Sequence, residues 1–299
     1  MDTNPTRTRL GVVFRPQIPP ERLGAAARAA DEAGVDELWL WEDCFLAGGL
    51  SSAAIALSHS ANLTVGVGVL PVPMRNVALA AMEIATLERA FPGRVRIGVG
   101  HGVQDWMAQI GERVASPMTL LREYLTCLTA LLRGNRVTFH GRYVNLDDVG
   151  LDWPPTAGAE VLAAATGPKT LRLSGELASG TVLSGGTTPD GVRKALTEIR
   201  AGGELRTEPA RHSVVTYVLC ATGPTADADL RAEIEHWELD PAEDVGVAGD
   251  AAQVAAGVRR WVDAGADTVV LQPSADVAIE DFVRFVGAEV GGVLARAGC

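Results

Sequence analysis

The feature that most restricts the fold of this chain is an alternation of strand and helix repeated eight times. Short runs rich in apolar and β-branched residues recur at Leu10–Phe14, Glu37–Trp41, Leu63–Val69, Arg94–Val99, Glu160–Ala165, Gly180–Leu183, Ser213–Ala221 and Thr268–Gln272. Between and after them lie segments of helical period. These are Pro19–Ala33, Ser51–Ser60, Val77–Ala90, Pro117–Arg133, Pro168–Leu177, Pro189–Ala201, a long mostly helical stretch over 224–264, and Ile279–Ala295. Pro19 and Pro20 open the first helix and Gly34 ends it, the usual placement of these two residue types. In the third, Leu79, Met82, Ala85, Thr86 and Arg89 recur turn after turn. The rhythm breaks once, at Val137–Asn145, where alternation around Gly141 predicts a small hairpin. Strands alternating with helices imply a parallel sheet joined by right-handed crossovers. Leu63–Val69 is nearly all apolar, as expected of a strand covered on both faces. Eight such units in 299 residues predict an α/β protein closed as a (β/α)8 TIM barrel with small insertions, one domain over residues 1–299. The rival is an open doubly wound sheet, and the Gly-x-Gly-x-x-Gly fingerprint that such a sheet would use is missing.

A barrel of this type carries its site on the loops at the carboxyl ends of its strands, which shortens the search. After the second strand come Glu42 and Asp43, two acids that are costly to bury without partners. Either one of them binds or protonates a ligand, or they cap the following loop. Asp43 is the candidate for function and Glu42 for the loop. After the third strand, Gly68-Val69-Leu70-Pro71-Val72-Pro73 combines backbone freedom with two stiffening prolines. After the fourth, Gly98-Val99-Gly100-His101-Gly102 exposes backbone N–H groups suited to an anion. His101 is either a structural hydrogen-bonder or an acid–base group. After the fifth, Thr166-Gly167-Pro168-Lys169 leads straight into a helix, whose free donors and dipole favour a phosphate. After the sixth, Ser184, Gly185 and Gly186 supply further donors. Two phosphate-suited loops side by side imply a phosphorylated cofactor or substrate.

Composition removes other classes. The formal charge of −11 argues against a nucleic-acid partner and against docking on anionic membranes. No run is long and apolar enough for a membrane span, and the residues from Met1 to Arg7 lack the apolar core of a secretory signal. Cys44, Cys127, Cys220 and Cys299 are scattered, and the five histidines lack metal-ligand spacing. A cytoplasmic protein without a metal site is expected.

Taken together, the loops resemble the luciferase-like monooxygenase superfamily. The resemblance is carried by Gly68–Asn76, by Met82–Arg89, by Arg94–Gly102, by the Ala164–Gly167 turn, by Leu173-x-Gly-Glu-Leu-Ala-Ser-Gly180, and by Gly265–Leu271. It covers almost the whole chain. Members are barrels that bind FMN or the deazaflavin coenzyme F420 at the mouth, and homodimers are common among them. The resemblance implies a flavin- or deazaflavin-dependent oxidoreductase, with the cofactor held by Asp43, Gly68, Val69, His101, Gly102, Thr166, Gly167, Lys169, Ser184, Gly185 and Gly186. It also implies a cis peptide between Gly68 and Val69, forming a bulge behind the cofactor ring. Related sequences often carry a histidine after the second strand, where this chain has Cys44. The sugar-phosphate dehydrogenases have a glutamate where this chain has Val103. These departures make glucose-6-phosphate oxidation and luciferase-like oxygen chemistry poor fits. The expected function is therefore F420-dependent hydride transfer to or from a small organic substrate, with Asp43 and His101 handling protons. The alternatives are an FMN-dependent monooxygenase and a catalytically silent flavin-binding protein.

Overall fold

A computed structural model describes residues 8–207 and 210–296. Eight parallel strands close into a barrel: β1 (Arg9–Phe14), β2 (Glu37–Leu40), β3 (Thr64–Pro71), β4 (Val95–Gly100), then, after the hairpin β5 (Val137–His140) and β6 (Asn145–Val149), β7 (Glu160–Ala164), β8 (Gly180–Leu183), β9 (Ser213–Thr222) and, after a short strand β10 (Gly246–Gly249), β11 (Thr268–Gln272). Around the barrel the order is β1-β2-β3-β4-β7-β8-β9-β11, and β11 pairs back to β1. The open-sheet alternative is thereby excluded. The predicted hairpin forms an antiparallel pair apart from the barrel.

The helices are α1 (Leu23–Ala33), α2 (Gly49–Ser58), α3 (Val77–Ala90), α4 (Gln104–Gln109), α5 (Pro117–Leu132), α6 (Pro168–Leu177), α7 (Pro189–Gly203), α8 (Ala226–His236), α9 (Ala251–Ala264), and α10 (Ile279–Arg284), which runs through a π-helical turn at Phe285–Val290 into α11 (Gly291–Arg296). α1 stops at Gly34, whose φ of 76° is left-handed backbone that glycine adopts without a Cβ penalty. α9 starts on a reciprocal capping box between Asp250 and Gln253.

Three features lie beyond what the sequence pattern showed. The stretch 224–264 is mostly helical, in α8 and α9, but β10 divides it and adds a parallel strand to the far half of β9, pairing Gly246–Gly249 with Leu219–Thr222. Its small residues hid that strand from a reading based on β-branched runs. The short helix α4 was missed, because six residues show too little period to register. Of the five residues that recur along α3, Ala85 is buried, whereas Leu79, Met82, Thr86 and Arg89 face outward, with Leu79 48% and Met82 58% exposed. The buried face is built from Ala80, Ala81, Ile84 and Leu87.

Inside the barrel, the amino-terminal end is plugged by polar groups. Arg96 bridges Glu37 (2.8 Å), Glu160 (3.0 Å), Ser213 (2.8 Å) and Thr268 (3.1 Å), and the indole N–H of Trp39 donates to Glu37 at 2.8 Å. Buried charges persist only when paired and hydrogen-bonded in this way. Above them sits an apolar layer of Val13, Trp39, Leu162, Val182, Val215, Tyr217 and Val270. This packed floor leaves the carboxyl-end mouth as the place for a ligand.

Candidate active site

A cavity of about 630 Å³ opens at that mouth. Residues from the ends of β2, β3, β4, β7, β8, β9 and β11 line it. Of the residues singled out in the sequence, Asp43, Gly68, Val69, His101, Gly102, Thr166, Ser184 and Gly185 reach its wall. Gly167, Lys169 and Gly186 do not. Gly167 is the N-cap of α6 with open space over its Cα, and Lys169 stands exposed one residue into the helix. Lys169 makes no hydrogen bond or ion pair among the described residues. Gly186, at φ 84°, packs beneath Leu239.

The two adjacent acids have separate duties. Glu42 is buried and accepts from the Gly49 N–H (2.6 Å) at the start of α2 and from both terminal nitrogens of Arg75. It ties the β2 and β3 loops together. The Asp43 carboxyl accepts no hydrogen bond from the described residues. Burial raises its pKa, and the Arg15 guanidinium opposes that rise. A half-buried carboxyl without a partner on a cavity wall has the environment of an acid–base group. The Cys44 thiol turns instead to the Met74 sulfur at 3.4 Å, and burial raises its pKa, with Glu42 and Asp43 adding to the effect.

The wall opposite the loops is made by the β3 bulge. The ladder between β3 and β4 shifts register between Val67 and Leu70, and the Gly68–Val69 peptide is cis. A second cis bond, Cys44–Phe45, was not foreseen. The Val69 side chain sits against Gly98 and Gly100, where a Cβ would leave no room for it. His101 is held near Thr170, with 3.4 Å between Nε2 and Oγ1. Burial lowers its pKa, and the Pro117 carbonyl works in the other direction. His101 Nδ1 and Trp41 Nε1 are both buried, without a close, well-aligned hydrogen bond among the described residues.

Several residues in or behind the wall escaped the sequence reading. Arg15, directly after β1, is 2% exposed and bonds to Glu233 (3.1 Å) and the Pro273 carbonyl (3.3 Å). Trp237 and Leu239 follow α8, and Trp106 lies on α4. A charged residue at a strand's carboxyl end was a usable signal for Arg15. Nothing local pointed to Trp237, which arrives from a distant segment.

The family model for luciferase-like monooxygenases matches residues 5–267. The chain belongs to that family. Among luciferase-like relatives, it is 26% identical over 194 residues to a 5,10-methylenetetrahydromethanopterin reductase from Methanolobus tindarius, covering 65% of this chain and 59% of that protein. The match therefore spans less than two thirds of the reductase. It is 28% identical over 309 residues to an F420-dependent glucose-6-phosphate dehydrogenase from Kineococcus radiotolerans, covering 89% and 91%. The coenzyme F420-dependent tetrahydromethanopterin reductase from Methanopyrus kandleri superposes with a TM-score of 0.83 at 18% identity, over 96% of this chain and 99% of that one. This luciferase-like chain thus shares the barrel of a known F420 enzyme.

Proposed function

We propose that this chain is an F420-dependent oxidoreductase that moves hydride between the deazaflavin and a small organic substrate. The observation that carries the proposal is the mouth cavity. There Asp43, whose carboxyl accepts no hydrogen bond among the described residues, shares the wall with Trp41, His101 and the Val69 of the bulge. The naming of the curated relatives as F420-dependent enzymes supports the same cofactor.

The residues fit the group. A ring bound in the mouth would be held by Val69, Trp41 and His101, which line it together. The phosphate would rest at the start of α6. There the N-cap Gly167 offers no side chain to the free N–H groups, and Thr166 and Ser184 lie exposed beside it. Lys169 adds positive charge at the rim. When bound, F420 supplies a hydride donor or acceptor that reacts poorly with oxygen. Asp43 gives or takes the accompanying proton at the substrate oxygen, and the surrounding tryptophans exclude water. Cys44, turned toward Met74, takes no part in this reading.

The deciding experiment is cofactor exchange on the purified protein. F420 is expected to bind with quenching of its fluorescence and to cycle between oxidised and reduced forms. Binding of FMN with oxygen consumption, and no binding of F420, would favour the monooxygenase reading instead. The same proposal includes a cytoplasmic homodimer built from one domain per chain. The exposed side chains of Leu79, Met82 and Trp153 support self-association, which light scattering tests.

A further inference from the structure

The outer half of the cavity has a composition that restricts the substrate. Its walls are Trp41, Trp106, Trp237, Leu239 and Val103. No Lys or Arg is among the described residues that line it, whereas Glu42 and Asp43 are. The nearby cations already face carboxylates of the protein. Arg75 is paired with Glu42, and Arg15 with Glu233 and the Pro273 carbonyl. Lys169 stands outside, at the α6 start. Burying an anionic substrate here would desolvate it beside two carboxylates, with no cation among the described lining residues to meet it.

Trp237 is held in place from three sides. Its indole N–H donates to Glu233 at 3.1 Å, its ring lies under the Arg15 guanidinium at 5.5 Å, and it meets Trp41 edge to face at 6.1 Å. Trp41 in turn meets Tyr217 at 5.7 Å. Arg15 and Glu233 therefore pin the segment after α8 against the barrel, and the pinned segment presents a flat aromatic face. Aromatic walls of this kind bind planar or ring-shaped apolar groups by area and stacking.

We infer that the substrate is a neutral, ring-sized, largely apolar ketone or alcohol, and that Trp237 is the residue that selects it. The inference rests on the hydride-transfer reading above. In the reductive direction, the carbonyl carbon gains a hydrogen with its electron pair from the reduced deazaflavin. The C=O π pair moves to oxygen, and oxygen takes a proton from Asp43. Alcohol oxidation is the reverse.

The test separates binding from chemistry. Saturation-transfer NMR is run on the protein without cofactor and on the F420-saturated protein, with acetophenone, cyclohexanone and glucose 6-phosphate as probes. Signal is expected from both ketones in either form, and none from the sugar phosphate on the F420-saturated protein, where the α6 phosphate site is filled. Trp237→Ala should weaken ketone binding and raise its KM roughly tenfold, with kcat changed little, as loss of uniform binding requires. Trp237→Phe keeps the flat apolar face and is expected to restore most of the binding, which guards against a folding defect in the alanine variant. Glucose 6-phosphate binding to the F420-saturated protein as well as the ketones, or unchanged ketone binding in Trp237→Ala, overturns the inference. F420 fluorescence titration is recorded separately. Failure to bind F420 sinks the cofactor reading, while the ketone signals on cofactor-free protein still decide this one.

Discussion

The Tyr217 hydroxyl donates to the Gly68 carbonyl at 3.3 Å, joining the far wall of the barrel to the bulge that backs the cavity. The contact leaves no room for a side chain. A Cβ on Gly68 would overlap the Tyr217 oxygen and lie 3.0 Å from the Trp39 ring. Gly68→Ala is expected to destabilise the protein by about 1–3 kcal/mol, the usual cost of overpacking, and to weaken cofactor binding. Tyr217→Phe removes the overlapping oxygen, so the double variant should recover part of both losses. Urea unfolding and F420 titration of the four proteins measure it. Full stability of Gly68→Ala would show that the wall yields.

Asp43 and Cys44 are neighbours with opposite orientations, one toward the cavity and one toward Met74. Asp43→Asn is expected to lower turnover by about 10²–10⁴, the range for loss of a general acid–base group. It should also remove the corresponding limb of the pH–rate profile. Cys44→Ser is expected to leave both nearly unchanged. Reversed outcomes would move proton handling to the thiol.

The barrel was legible because each strand–helix unit carries its own local pattern, and Gly34 or Pro168 marks its ends. The strand-end loops were legible for a related reason, since closure of the barrel forces them to one face. Trp237 and Leu239 were not legible, because α8 and β10 depart from the repeating unit and reach the mouth only through tertiary packing on Arg15. The outward stripe of α3 shows a second limit. Helical period alone does not say which side of the helix is covered.

Lys169 stands at the rim without a protein partner. A contact between it and a cofactor phosphate is exposed to salt, because screening acts over about 8–10 Å at ordinary ionic strength. Lys169→Ala should therefore weaken F420 binding strongly at low salt and little at high salt. The two titration curves should converge as salt is added. An equal loss at every ionic strength would point to a structural defect, and no loss would remove Lys169 from the site.

A second carboxylate makes a prediction about stability. Glu88 on α3 is 5% exposed, and burial pushes its carboxyl up to about 7; the Gly93 N–H at 3.3 Å lowers it somewhat, and Glu160 raises it. Its folded pKa thus lies above the ordinary 4.5. The folded state then binds a proton that the unfolded chain has already released. That contribution is complete below pH 4.5, falls as pH rises through 7, and is flat above. Its size is on the order of 1–3 kcal/mol. His212 runs the other way. Burial and the Arg206 charge push it down to about 4, so its contribution is intact above pH 6.5 and is lost as pH falls through 4. Between these limits the two slopes oppose each other. Glu88→Gln removes one of them. Its stability should rise from pH 4 to 6.5 and then stay level to pH 8, while the parent loses stability between pH 6 and 8. Urea unfolding across that range measures both curves. Parallel curves for parent and variant would mean that Glu88 titrates as an ordinary carboxylate.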